Sequence, residues 1–356
     1  MGDQYPTIRA AAIQAAPVFL DREATVEEAC RLIEEAGARG ARLIVFPECH
    51  VPGFPHWFFL HPAYDCRAWM TALFKNAVEV PSPSTERIGR AARDAGAYVV
   101  MGINERRPGT MGTLFNSQVF FDPRGDILGV HRKIMPTFTE RLVHAGGDGS
   151  CLRVYPTSFG GLGGLICGEN GNPLARFTLL AQGETVHAAS WPAYPTGFNH
   201  VNREGAILRS RAHAFEGKVF VVAASGVFDE TARRELCRTE EQRRLVTTAG
   251  GVSIIVGPGG DILAQADPEK PEILLADLDL EAIIPLKFAH DITGHYNRFD
   301  IFQLQVNRRS PSPLALTTDA PFGNGRNAEG AAEQAPPASA PITRTDSDAS
   351  ERSATT

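Results

Sequence analysis

Short apolar runs that alternate with amphipathic segments are the feature of this sequence that most limits its fold. Ile8–Ala16 and Leu43–Phe46 are apolar runs of strand length, and Thr25–Gly37 between them places small and apolar residues at helical spacing. The same order recurs in a helical segment that Gly96 closes and a strand at Tyr98–Ile103. This alternation is typical of an α/β domain, in which helices cover a sheet.

Two hairpin signals interrupt the alternation. Gln118–Phe121 and Ile127–Val130 flank one group of turn residues, and Val252–Val256 and Ile262–Ala264 flank another. Gly-Asp-Ile-Leu occurs at the end of both turns, which indicates that the two halves of the domain are built alike. Between the hairpins the sequence predicts three strands and two helices: Gly164–Ile166, Val186–Ser190 and Val219–Ala224, with helices at Pro173–Gln182 and Val201–Glu216.

The composition changes near residue 310. From Pro311 onward Pro, Ala, Ser, Thr, Asp and Gly dominate, and large apolar residues are scarce. Such a segment buries too little apolar surface to offset the entropy lost on ordering. The sequence therefore predicts one folded domain over residues 1–310 and a disordered tail over residues 311–356.

Charge and cysteine content exclude several classes of protein. The chain has 35 Lys and Arg against 41 Asp and Glu, a formal charge of −6, and it has no basic runs. This argues against binding to nucleic acid or to an acidic membrane surface. No apolar run approaches the ~18 residues that span a bilayer. The six cysteines are too dilute for a disulfide scaffold and lack the Cys-x-x-Cys spacing of zinc and redox sites. We therefore expect a soluble protein in the reducing cytoplasm.

Reactive side chains follow several of the predicted strands. Glu48, Lys133 and Cys167 each come directly after one, and Asn104 and Trp191 close two more. Active sites of α/β sheets gather at the carboxyl ends of strands, so these positions predict a site. Each residue also has a simpler interpretation: a core cysteine, a solvated lysine and a glutamate that caps a loop.

The combination of these residues makes chemical sense. A thiolate is a strong nucleophile that needs a nearby cation or base to form at neutral pH. Lys133 supplies a cation and Glu48 a base. A Cys–His pair is the competing arrangement, and the spacing does not choose between the two; the histidines available for it are His50, His131, His144, His187 and His213.

Three segments resemble the motifs of one enzyme superfamily. Leu43–Glu48, followed by Pro52–Pro55, resembles the glutamate motif of the nitrilase (carbon–nitrogen hydrolase) superfamily. His131–Thr137 resembles its lysine motif, and Gly163–Cys167 its cysteine motif, in the same order along the chain. Weaker matches extend the resemblance over nearly everything except the tail. The longer lysine segment and the C-terminal matches resemble nitrilases proper rather than the amidase branches.

The resemblance implies a fold and a set of roles. The fold is a four-layer αββα sandwich forming a single catalytic domain over residues 1–310. Cys167 is the implied nucleophile, Glu48 the general base and Lys133 the cation that stabilises the tetrahedral intermediate. Glu140 matches a second glutamate of the family site, although a surface ion pair with Arg141 is the simpler interpretation. No metal ion or organic cofactor is implied.

One position departs from the family pattern. Most nitrilases have a tryptophan directly after the nucleophile, whereas this chain has Gly168. Loss of the indole either enlarges the pocket and changes how the intermediate is oriented, or leaves a gap that another side chain fills. In the first case the range of substrates, or the ratio of acid to amide product, changes.

Aromatic residues near the motifs bear on the substrate. We assign Phe54, Trp57 and Trp191, with Gly168, as candidate substrate-binding residues, although aromatic clusters also form cores and subunit interfaces. The assignment predicts an aromatic or arylaliphatic nitrile as the small-molecule substrate, hydrolysed to carboxylic acid and ammonia.

Other functions remain open from the sequence. An amidase or carbamoylase, or a cyanide-hydrolysing enzyme with a small pocket, uses the same three residues. An alternative from another class of protein is a catalytically silent oligomeric scaffold. The resemblance also implies homo-oligomers, with dimers that extend into a spiral or filament.

Overall fold

Strands and helices alternate along the chain as the sequence predicts. The computed structural model describes residues 2–194 and 199–311. The strands are β1 (Thr7–Gln14), β2 (Leu43–Val45), β3 (Tyr98–Arg106), β4 (Leu114–Phe121), β5 (Ile127–Arg132), β6 (Tyr155–Thr157), β7 (Gly160–Ile166), β8 (Glu184–Trp191), β9 (Phe220–Ser225), β10 (Ile254–Val256), β11 (Ile262–Gln265) and β12 (Glu272–Asp279). The α-helices are α1 (Arg22–Ala38), α2 (Arg67–Asn76), α3 (Pro83–Ala95), α4 (Pro173–Leu180), α5 (Asn199–Gly217), α6 (Glu230–Leu236), α7 (Glu240–Leu245) and α8 (Ile283–Ala289).

The strands form two sheets with the same pairing pattern. The first sheet has the order β12-β1-β2-β3-β4-β5, and the second has the order β11-β10-β9-β8-β7-β6. In each sheet three consecutive strands are parallel, β1 to β3 and β7 to β9, and the strands outside them pair antiparallel. Both predicted hairpins are present, and the likeness of the two halves is confirmed.

Three buried layers of side chains separate four layers of secondary structure. Ile33 of α1 and Ile44 of β2 belong to a cluster that packs α1 and α3 against the outer face of the first sheet. Val45 of β2 and Val222 of β9 belong to a second cluster, which lies between the two sheets. Ala214 of α5 belongs to a third, on the outer face of the second sheet. The predicted αββα sandwich is confirmed.

Helix α3 begins at Pro83, one residue before Ser84, the serine that its sequence suggests as the capping residue. Ser84 resembles a cap in the sequence, but it is buried inside the helix, and Ser82 is the capping residue. The Ser82 backbone N–H donates to Thr85 Oγ1 at 2.9 Å, which forms a capping box. Pro83 follows at the first helical position, where its missing N–H costs nothing.

The described residues belong to one compact unit that ends at Pro311. Apart from Pro311 itself, the segment predicted to be disordered, residues 311–356, lies outside the described residues. Among the described residues, no helix combines the length and the apolar character that crossing a membrane requires.

The two sheets bring separate segments of the chain to the same end of the sandwich. Glu48 follows β2, and Lys133 follows β5. Cys167 follows β7, and Trp191 is the last residue of β8. The Glu48 backbone N–H donates to the Trp191 carbonyl at 3.2 Å, which ties the first sheet to the second. The chain before Glu48 passes close to β3, because a Cβ atom at Gly102 would lie 1.9 Å from the Pro47 carbonyl oxygen.

We therefore expect Gly102→Ala to displace the segment that carries Glu48. The added methyl group meets backbone rather than a flexible side chain, so the free energy of unfolding should fall by about 1–3 kcal/mol or more. Urea unfolding measures this loss. Gly112→Ala is the matched control, since no atom lies within 4 Å of its Cβ position, and it should change stability by less than about 0.5 kcal/mol. Equal stability of the two variants would contradict the close approach.

Candidate active site

A buried lysine ammonium shared by two carboxylates forms the centre of the site. Lys133 Nζ lies 2.7 Å from Glu48 Oε1 and 2.6 Å from Glu140 Oε2. The three side chains are at most 1% exposed. The two sequence-predicted glutamates are thus brought to the same lysine. Glu140 is buried here, so its simpler interpretation as a surface partner of Arg141 is wrong.

Asn116 of β4 completes this cluster, and sequence reasoning missed it. Its Nδ2 donates to Glu48 Oε1 at 2.6 Å and to Glu140 Oε1 at 2.7 Å. The backbone carbonyl of Asn116 accepts from the Lys133 backbone N–H at 2.8 Å. The available signal was a run of three polar residues, 116–118, inside an otherwise apolar strand. A buried polar run of this kind needs internal partners.

Opposed electrostatic influences set the protonation of the two glutamates. Burial raises the pKa of Glu48 to about 7; the Lys133 charge opposes this, and the Glu140 charge adds to it. Burial also acts to raise the pKa of Glu140, but His144 and Lys133 outweigh it and lower that pKa to about 2. Glu140 is therefore the permanent counter-ion of Lys133. Glu48 is poised to exchange a proton near neutral pH.

One oxygen of Glu48 is left without a partner. Glu48 Oε2 is buried and has no hydrogen bond among the described residues, whereas Oε1 accepts from both Lys133 and Asn116. A buried carboxylate oxygen without a donor is costly, so it marks a place where a proton can be received.

Cys167 stands at the start of a tight turn. It follows β7 and opens the 3₁₀ turn Cys167–Gly171, with a positive φ of 49°. Such strained conformations cluster at functional sites. Its Sγ lies 4.0 Å from the Tyr194 hydroxyl. Burial, and then the Glu48 charge, raise the pKa of the thiol to about 12, against the influence of Lys133.

None of the five histidines considered for a Cys–His pair has a hydrogen bond to Cys167 among the described residues. Both ring nitrogens of His131 and of His187 bond to other groups, and His144 and His213 each bond elsewhere through Nε2. His50 is buried with both nitrogens unpartnered among the described residues. The arrangement therefore favours the carboxylate–lysine alternative.

A cavity of about 370 Å³ opens onto this cluster. Lys133, Glu140 and Cys167 line it, together with three of the four candidate substrate-binding residues: Phe54, Gly168 and Trp191. The rest of its lining includes further aromatic and apolar residues: Phe59, Leu60, Phe138, Pro192, Ala193 and Tyr194.

Trp57, the fourth candidate substrate-binding residue, is placed differently from the other three. Its indole is fully buried in a hydrophobic cluster, with its ring centre 6.2 Å from that of Trp69 and 6.2 Å from that of Phe19. It does not line the cavity. The burial of a large ring in this cluster outweighs its nearness in sequence to Phe54.

Space beside Gly168 is limited. A Cβ atom there would lie 2.9 Å from Thr137 Oγ1, and Thr137 also lines the cavity. A neighbouring side chain thus takes up room that a residue at position 168 would need. This favours the second of the two interpretations of the missing tryptophan.

Three buried residues outside the cavity have the composition of a metal site. Glu184, His187 and His213 place their ligand atoms within 4.8 Å of one another. The two carboxylate oxygens of Glu184 each accept one hydrogen bond, Oε1 from His187 Nδ1 at 2.7 Å and Oε2 from His213 Nε2 at 2.8 Å. Mutual hydrogen bonding accounts for this cluster. His187 Nε2 continues to Asn170 Oδ1 at 2.8 Å, which connects the cluster to the turn of Cys167.

Comparison with known proteins identifies the family. The carbon–nitrogen hydrolase family model matches residues 9–288. The chain belongs to the carbon–nitrogen hydrolase family. It is therefore a hydrolase that acts on carbon–nitrogen bonds other than peptide bonds.

The relatives place this carbon–nitrogen hydrolase in the nitrilase branch. A protein named nitrilase from Bacillus sp. (strain OxB-1) is 37% identical over 312 residues, which cover 87% of this chain and 91% of the relative. An aliphatic nitrilase from Rhodococcus rhodochrous is 36% identical, over 86% of this chain and 85% of the relative. A carbon–nitrogen hydrolase from Helicobacter pylori G27 has the same fold, with a TM-score of 0.63 at 23% identity over 80% of this chain and 93% of that structure.

The geometry predicts how Cys167 responds to loss of Glu48. Because the Glu48 charge raises the pKa of the thiol, Glu48→Gln should lower that pKa by about one unit or more. Alkylation of Cys167 by iodoacetamide, followed by peptide mass spectrometry across a pH series, measures this. The control Glu34→Gln removes an exposed carboxylate on α1 and should leave the profile unchanged. A profile that moves to higher pH in Glu48→Gln would contradict the electrostatic coupling.

Proposed function

We propose that this protein hydrolyses organic nitriles to the carboxylic acid and ammonia through covalent attack by Cys167. The observation that carries the proposal is Glu48 Oε2, which has no hydrogen-bond partner among the described residues, while Glu48 Oε1 bonds to Lys133, and Lys133 lines the same cavity as Cys167. Membership of the nitrilase branch supports it.

The first half of the reaction forms a thioimidate. Glu48 accepts the Cys167 thiol proton as the sulfur attacks the nitrile carbon, and the proton then passes to the nitrile nitrogen. A thiol pKa of about 12 means that deprotonation occurs together with attack rather than in the resting enzyme. Glu48, with a pKa of about 7, is a suitable acceptor. The C–S bond forms while one carbon–nitrogen π bond breaks.

The second half replaces nitrogen by oxygen. Glu48 takes a proton from water as the water attacks the thioimidate carbon, and the Lys133 ammonium stabilises the tetrahedral intermediate. Cleavage of the C–N bond, with proton transfer to nitrogen, releases ammonia and leaves a thioester. A second water then releases the acid and restores the thiol. Cleavage of the C–S bond of the tetrahedral intermediate instead releases the amide.

The cavity favours organic nitriles over cyanide. A volume of about 370 Å³ far exceeds the ~30 Å³ share of one water molecule in liquid water, and it falls within the range of pockets that bind drug-sized ligands. Phe54, Phe59 and Phe138 line it, and their rings suit an aromatic or arylaliphatic side chain. We therefore propose such nitriles as preferred substrates and cyanide as a poor one.

We also propose that the protein acts in the cytoplasm as a homo-oligomer. The six cysteines are free, which suits a reducing compartment. Large apolar side chains are exposed on neighbouring helices, namely Leu174 of α4 and Leu208 and Phe215 of α5, and they are suited to contact with a second copy.

Ammonia release from matched nitriles and amides tests the activity. We expect phenylacetonitrile and benzonitrile to be turned over faster than acetonitrile and cyanide, and faster than phenylacetamide. Cys167→Ala should reduce ammonia release to background in folded protein, whereas Cys30→Ala, which changes a half-buried thiol on α1, should retain it. Faster turnover of the amides would assign an amidase. Absence of all turnover in the wild type would favour the silent scaffold.

The raised pKa of Glu48 predicts the pH dependence. The carboxylate is the active form of the base, so kcat/KM should be constant above about pH 7 and fall about tenfold per unit below it. Assays with phenylacetonitrile from pH 5 to 9, with circular dichroism at each pH as a control for folding, measure this. An acid limb centred near pH 4.5, the ordinary value for glutamate, would show that Glu48 is not the base or is not perturbed.

A further inference from the structure

A second buried glutamate, Glu169, connects the segments that carry Lys133 and Cys167. It lies in the turn two residues after Cys167 and is 7% exposed. The Ile166 backbone N–H donates to its Oε2 at 3.0 Å, and the Ile134 backbone N–H donates to its Oε1 at 2.6 Å. Ile166 immediately precedes Cys167, and Ile134 immediately follows Lys133. One carboxylate therefore holds the chain beside both reactive residues.

This connection crosses between the two sheets. Lys133 follows β5 at the edge of the first sheet, and Cys167 follows β7 in the second. β5 and β7 lie in different sheets and share no ladder of backbone hydrogen bonds, so side chains between them contribute to their relative position. Glu169 supplies such a connection at the reactive end.

His131 keeps this carboxylate charged. Its Nε2 lies 2.9 Å from Glu169 Oε2, and its Nδ1 lies 3.2 Å from the Cys151 carbonyl oxygen. Both partners are acceptors, and a neutral imidazole has only one N–H, so the two hydrogen bonds together require the imidazolium. Burial opposes that charge, but Glu169 outweighs it and raises the pKa of His131.

A purely stabilising role explains this pair poorly. Removing two charges from water costs several kcal/mol each, and well-packed apolar residues often replace a buried ion pair without loss of stability. Glu169 differs from such a pair because its two oxygens also accept two backbone N–H groups that flank the reacting residues. Glutamine has one acceptor oxygen and would turn an NH₂ group toward one of those donors.

We propose that Glu169 is a positioning residue that fixes Cys167 relative to Lys133, and that His131 is its counter-ion. The inference rests on the proposed function for the reaction that it affects. A displacement of about 1 Å between reacting groups can cost roughly 100-fold in rate. The position of the turn, rather than substrate binding, is what Glu169 controls.

Glu169→Gln tests the proposal directly. With phenylacetonitrile we expect kcat per active site, titrated by covalent labelling of Cys167, to fall roughly 100-fold, with KM changed less than about threefold. Glu105→Gln is the matched control: it removes another buried carboxylate, which binds Arg132 beside Lys133 and does not contact the Cys167 turn. It should retain kcat within about fivefold. A fall in folded protein with unchanged kcat per titrated site would assign Glu169 a structural role only and overturn the proposal.

Hydrogen exchange gives a readout that does not depend on the substrate. The amides of Ile134 and Ile166 should exchange slowly in the wild type and faster in Glu169→Gln, while the amides of β4 and β8 keep their protection. If Glu169→Gln does not fold, His131→Gln replaces it. This variant keeps a side-chain donor but removes the cation, and it should show the same pattern with a smaller loss of kcat, of roughly tenfold.

The two proposals fail in distinguishable ways. Lack of turnover of any nitrile by the wild type would remove the proposed function. Unchanged exchange at Ile134 and Ile166 in the variants would remove the positioning role, whatever substrate the wild type hydrolyses.

Discussion

The sharing of one buried ammonium between two carboxylates is the interaction on which the rest of the site depends. Lys133 lies within 2.7 Å of both Glu48 and Glu140, and its charge offsets the cost of burying two acids. Lys133 and Glu140 come from the segment between β5 and β6, and Glu48 comes from the segment that follows β2. Their contact therefore requires the strand order of the first sheet, in which β4 places Asn116 against both carboxylates.

The two carboxylates have different surroundings, which give them different pKa values and different roles. Glu140 has the additional support of His144, whose Nδ1 lies 3.3 Å from it, and its pKa falls to about 2. Glu48 lacks that support, has one oxygen without a partner in the described part of the chain, and has a pKa of about 7. Environment alone thus makes one acid a fixed counter-ion and the other a proton acceptor, which is a general way of running acid and base chemistry at neutral pH.

The sequence was sufficient for residues whose position follows from strand order, and insufficient for those whose position follows from packing. Glu48, Lys133 and Cys167 were predictable because each follows a strand, and active sites of α/β sheets gather at the carboxyl ends of strands. Asn116 was not, because its partners are known only once β4 lies beside β5. Local sequence does not say toward which side a ring turns, and Trp57 packs on Trp69, twelve positions away, rather than lining the cavity. The charge of His131 likewise depends on acceptors at positions 151 and 169.

Trapping the covalent intermediate is the most direct test of the central claim, that Cys167 attacks the substrate carbon in this site. The protein would be mixed with phenylacetonitrile, quenched in acid during steady-state turnover and analysed by peptide mass spectrometry. The account predicts an added phenylacetyl or phenylacetimidoyl group on the peptide that contains Cys167. Turnover with that peptide unmodified, or with the group on another cysteine, would contradict it.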